Sequence, residues 1–138
     1  MARSLVLAHR AIQIGPRCSS ITYLLSWAVD YTIGYYGEEV QEQIFTLPDT
    51  LAARYIVLTR RMVSLGPNLG EPHTKAFGGG LFELRLKGAE GIARVFFCTL
   101  VGRRIVMLHS FLKKSEKTPA REREIAERRM KEVKHENA

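Results

Sequence analysis

The sequence predicts an α+β domain: a first strand and two helices, then a small antiparallel sheet with a three-stranded meander, then a last helix. Three observations carry this. From Gly80 to Pro119 the residues alternate apolar and polar, as in a three-stranded meander. Between Glu38 and Leu65 apolar residues recur at spacings of three and four, the period of helices covering a core. A Thr-Pro step at Thr118 and Pro119 opens a densely charged stretch with a thin apolar stripe, the start of a further helix.

At 138 residues the chain suits one domain large enough for a real core, placed at residues 23–138 behind a basic extension at 1–22. That extension has three arginines, no acid and a Gly15-Pro16 break, and is expected to be poorly ordered. His9 and Arg10 interrupt its apolar run, which argues against a secretory signal. No stretch is long and apolar enough to span a membrane, so the expected location is the cytoplasm. Cys18 and Cys98 lie far apart without metal-type spacing, and His9, His73, His109 and His135 are scattered, so no metal or other cofactor is expected. The net charge of +7 favours an anionic partner.

Taken in order, Tyr23 to Thr32 reads as a first strand with Leu25, Trp27 and Val29 in phase, ended by a break at Gly34 to Gly37. Glu38 to Leu47 follows as a short helix with Val40, Ile44 and Leu47 inward. Asp49 then caps a longer helix reaching Leu65, with Leu51, Tyr55, Leu58, Met62 and Leu65 as its core stripe. The Gly- and Pro-rich segment from Gly66 to Gly80 reads as irregular. The final helix runs from Ala120 to Val133, with Ile125, Met130 and Val133 as its apolar side.

Within the meander, Leu81 to Lys87 alternates, the loop at residues 88–91 reverses the chain, and Ile92 to Leu100 is the apolar central strand. Val101 and Gly102 turn it into Arg103 to Leu112. If Lys87 pairs with Ile92 and Leu100 with Arg103, Arg85 faces Arg94 and Arg94 faces His109. Phe82, Leu84, Leu86, Val95, Phe97, Val106 and Leu108 then form the face that helices cover. Opposed arginines repel, so the polar row calls for a carboxylate, of which Glu83 is the nearest, or a bound anion. A row with two arginines also favours a neutral His109 imidazole, a possible proton acceptor. His73 and Lys75 stand just before the strands. Phe111, Lys113, Lys114 and Lys117 follow them, an aromatic among cations that suits a stacked base and its phosphates.

The segments GLFELR, GIARVFF, GRRIVMLHSF and KKSEKTP, with EEVQEQI and LPDTLAARYIVLTRRM before them, resemble the HigB-like toxins of the phage-derived Gp49-like family, within the RelE-like superfamily. The resemblance covers residues 26 to 134. It implies a RelE-like fold: a small twisted antiparallel sheet, two N-terminal helices packed on one face and a C-terminal helix. It implies a messenger-RNA endonuclease acting on translating ribosomes, neutralised in complex by a helix-turn-helix antitoxin, the toxin alone being a monomer or weak dimer. The implied chemistry is metal-free attack of a ribose 2′-hydroxyl on its own phosphate. Arg85 and Arg94 would hold that phosphate, Lys75, His109 or His73 would take the proton, and Lys113 or Lys114 would bind phosphate or donate. His73, Phe111, Lys114 and Lys117 would contact RNA. Some RelE-like enzymes use a tyrosine near the C-terminus for proton transfer, but no tyrosine follows Tyr55, which leaves acid and base open. Two other readings of the same basic face are a non-catalytic RNA- or ribosome-binding protein and a protein-interaction module.

Overall fold

The computed structural model describes residues 30–113 and 119–137. The extension at 1–22, most of the strand expected at Tyr23 to Thr32, Lys114, Lys117 and the Thr118 cap lie outside the described residues. In chain order the elements are β1 (Thr32–Tyr35), α1 (Glu38–Phe45), α2 (Asp49–Leu65), β2 (Thr74–Gly78), β3 (Leu81–Gly88), β4 (Gly91–Leu100), β5 (Arg104–Lys113) and α3 (Ala120–Glu136). One five-stranded sheet has the order β1-β5-β4-β3-β2.

The sheet is mixed, which corrects the all-antiparallel expectation: β1 runs parallel to β5, with Thr32 opposite Arg104. The strand also passes through Gly34, expected as part of a break. Ile33 and Tyr35 alternate into the core, and a short edge strand tolerates one glycine. A second correction is β2, in the segment expected to be irregular. It is an edge strand beside β3 with a bulge between Ala76 and Gly78, and such a short, Gly-flanked strand carries almost no sequence signal.

Helices cover both faces of the sheet. On one face α1 and α2 bury Val40, Ile44, Leu51, Tyr55, Leu58 and Met62 against Leu84, Leu86, Val95, Phe97, Ile105 and Met107. Leu65 is 72% exposed and does not join them; Thr59 and Val63 take the buried places near the helix end. On the other face α3 packs Ala126, Val133 and Met130 on Leu81, Phe96, Cys98 and Leu108. Ala126 replaces the expected Ile125, since it continues the spacing of four and three through Met130 to Val133. Both helix starts differ from expectation. Pro48 and Pro119 are the N-cap residues, so Asp49 and Ala120 open their helices, and neither start has a side-chain cap.

The β3–β4 register is the expected one, with Lys87 opposite Ile92 and Arg85 opposite Arg94. The β4–β5 register is not. The loop has three residues, with Gly102 and Arg103 both at positive φ, so Leu100 pairs with Arg104. That single step reverses the sides, sending Ile105 and Met107 to the α1–α2 face and Val106 to the α3 face. An irregularity beside Phe96 and Phe97 then passes over Leu108 and reverses them again. His109 and Phe111 thus return to the polar row's face, but Arg94 stands opposite Phe111, and His109 opposite Phe96.

Candidate functional site

A notch at one end of the sheet gathers the cationic side chains. Thr74 pairs with Leu84, so β2 begins there, while β3 runs on to Gly88. The chain before β2 closes part of the gap, with the Arg85 amide donating to the His73 carbonyl at 2.8 Å. From the far side comes the first turn of α2. Ala89 N donates to Thr50 Oγ1 at 3.0 Å, Thr50 N donates to the Glu90 carboxylate at 3.3 Å, and the Thr50 hydroxyl donates to the same carboxylate. Gly88 permits this approach: a Cβ there would strike Thr50 Oγ1 and come within 3.1 Å of Leu51 Cδ2. One turn beyond Thr50 is Arg54. The resulting cleft, of about 290 Å³, is lined by Arg54, Pro72, His73, Arg85, Lys87, Ile92 and Arg94.

Among the described residues no carboxylate lines this cleft, but Glu83 is buried behind it. Glu83 is completely buried, and its Oε1 accepts from Arg85 Nε at 3.3 Å and from Arg94 Nη1 at 3.2 Å. Arg94 is itself only 8% exposed, whereas the Arg85 side chain is 27% exposed. This is the partner that the opposed arginines required. One carboxylate between two guanidiniums still leaves the trio positive, and Arg54 and Lys87 add two charges at the rim. The arrangement suits a phosphate, whose oxygens match the guanidinium fork.

The remaining sequence candidates divide between this cleft and its surroundings. His73 lines the cleft. Lys75 is exposed on β2, its Nζ 5.5 Å from the centre of the Phe77 ring, which also carries the Arg123 guanidinium at 4.8 Å. Phe111 stacks on Phe96 at 6.0 Å and on His109 at 5.9 Å. His109 lies 2.5 Å through Nε2 from Glu122 of α3. It meets a carboxylate instead of the two expected arginines. Lys113 ends β5 opposite Ile92. Among the described residues no group of three His, Cys, Asp or Glu is placed to hold a metal. No described helix is long and apolar enough to cross a membrane.

The model of the family described as phage-derived protein Gp49-like (DUF891) matches residues 42–131. This chain belongs to that family, one of RelE/HigB-like toxins. No curated protein matches it. The Gp49-like match begins inside α1, ends inside α3 and includes every residue lining the notch. Two of those residues, Arg54 and Lys87, escaped the sequence reading, because each sits at a polar position of an amphipathic element and reads as solvated surface. One signal was there: residues 50–70 hold Arg54, Arg60 and Arg61 without a single acid.

Proposed function

We propose that this Gp49-like protein is the toxin of a toxin–antitoxin pair and cleaves messenger RNA on translating ribosomes. The observation that supports it is the cationic lining of the cleft, acid-free among the described residues, in which Arg85 and Arg94 share one buried carboxylate. The ribose 2′-hydroxyl attacks its adjacent phosphorus, its proton leaves to a base, and the 5′-oxygen departs with a proton, giving a 2′,3′-cyclic phosphate and a 5′-hydroxyl. Arg85 and Arg94 neutralise the charge that grows on the phosphorane oxygens; donors fixed before the reaction need no reorganisation during it. Glu83 is their positioning residue. His73 is the favoured proton acceptor, since it lines the cleft while His109 is engaged with Glu122. Lys75 stands two residues further along the same edge, as a second proton-transfer group or a phosphate contact. Phe111 and Lys113 continue the RNA path beyond Arg94, Lys114 and Lys117 are further RNA contacts by their charge, and a helix-turn-helix antitoxin is the natural partner in the cytoplasm.

The test is a translation reaction supplied with the purified protein, read by primer extension on the message and by end-group analysis of the fragments. New 5′-hydroxyl ends within the coding region are expected, and Arg85→Ala should lower their rate by about 100-fold with the fold retained. An intact message would sink the nuclease reading. RNA bound but uncut would leave a non-catalytic binder using the same face.

A further inference from the structure

We propose that the notch takes two consecutive phosphates of a single-stranded RNA, the first on Arg85 and Arg94 and the next on Arg54 and Lys87. This rests on the reading of the cleft as an RNA site and adds what that site measures: a nucleotide bearing a diester on each side. Charge is the first argument. Arg54 and Lys87 are a second pair of cations, both exposed, on a cleft whose described lining holds no carboxylate, so a second anion has a place beside the one on Arg85 and Arg94. Spacing is the second. Arg85 and Lys87 lie two residues apart on one face of β3, about 6.6 Å along the strand. That is close to the distance between neighbouring phosphates of an extended strand.

Fixed geometry is the third argument. Arg54 is not on a freely placed helix: the turn before it is held to the β3–β4 hairpin by Thr50 and Glu90, with Gly88 allowing the contact. This clamp sets the distance between Arg54 on α2 and Lys87 on β3. Ile92, opposite Lys87, and Pro72 give the cleft apolar surface where a ribose can rest. A mononucleotide would engage only one end. The ligand class is therefore an oligonucleotide of at least three residues, with Arg54 and Lys87 binding outside the bond that breaks.

Binding of short oligonucleotides carrying 2′-deoxyribose throughout, which cannot be cut, tests this on the full chain. The series has two, three and four nucleotides, hence one, two and three diesters. The native protein should bind the trinucleotide about tenfold more tightly than the dinucleotide, and the fourth nucleotide should add much less. Arg54→Ala and, separately, Lys87→Ala should each erase most of that step while leaving dinucleotide affinity within about twofold. Both side chains are exposed, and an unchanged thermal midpoint confirms that each variant is folded. Retention of the step in both variants, or equal weakening at every length, would overturn the two-phosphate arrangement alone. Failure of the native protein to bind any length would overturn it together with the RNA reading.

Discussion

Glu83 has a role that only its depth explains. On an exposed strand face it would be a minor neighbour of two arginines; fully buried, it is the counter-charge that lets them stand opposite one another. Glu83→Gln should lower unfolding stability by about 3 kcal/mol, because the nearly buried Arg94 and its neighbour Arg85 would then lose the carboxylate they share. Urea titration measures this, and added phosphate should restore more stability to the variant than to the native protein. A loss insensitive to phosphate would mean that the arginines do not jointly face an anion. Cys98 is a simpler case. Burial pushes its thiol up to about 11, so in a Cys18→Ser background the native protein should resist thiol reagents at pH 8 and react on unfolding.

Among the elements, the contact between α2 and the β3–β4 hairpin decides whether the notch exists. The Thr50 hydroxyl holds the Glu90 carboxyl below its ordinary value of 4.5. A carboxylate lowered by folding contributes stability above that value and loses it as pH falls through the folded-state value. The thermal midpoint of the native protein should therefore exceed that of Glu90→Gln near neutrality, with the gap closing as pH drops below 4.5. A constant gap would indicate a packing effect instead. Gly88→Ala should damage the same contact sterically, lowering both stability and oligonucleotide affinity. The sequence made α1, α2 and the β3–β4 register legible, because periodicity and a short Gly-bounded turn determine them locally. It did not reveal the neighbour of β1 or the step at Leu108. Parallel pairing leaves no turn to read, and a bulge is a response to packing on both faces. The site divides similarly: Arg85 and Arg94 follow from register, while Arg54 joins them only through tertiary contact.

At the scale of the whole molecule, a tyrosine pair ties the edge strand to the helical layer. Tyr35 of β1 and Tyr55 of α2 share a 2.6 Å hydrogen bond between hydroxyls. Burial, partly offset by that bond, raises Tyr35 to about 12, and burial with the Tyr35 neighbour raises Tyr55 well above 10.0. Folding thus favours the neutral hydroxyls: their contribution is complete below pH 10 and is lost as pH climbs through the folded-state values. Tyr35 should therefore withdraw its contribution progressively between pH 10 and about 12. Alkaline unfolding followed by tyrosinate absorbance should show ionisation and loss of helix together, and separate transitions would contradict the linkage.

The parallel pairing of β1 with β5 also governs when this protein can exist. Thr32 meets Arg104, so an early segment of the chain must wait for a late one before the sheet gains that edge. Such distant pairings form slowly, because loop closure precedes any return from contact. On the ribosome the wait is set by translation itself: residues Arg104 to Met107 must leave the exit tunnel before β1 has a partner. Stalled nascent chains ending before Arg104 should be cut by protease doses that spare the finished chain. A member of this toxin family would then be inert throughout most of its own synthesis, and its ribosome would complete it before it could act.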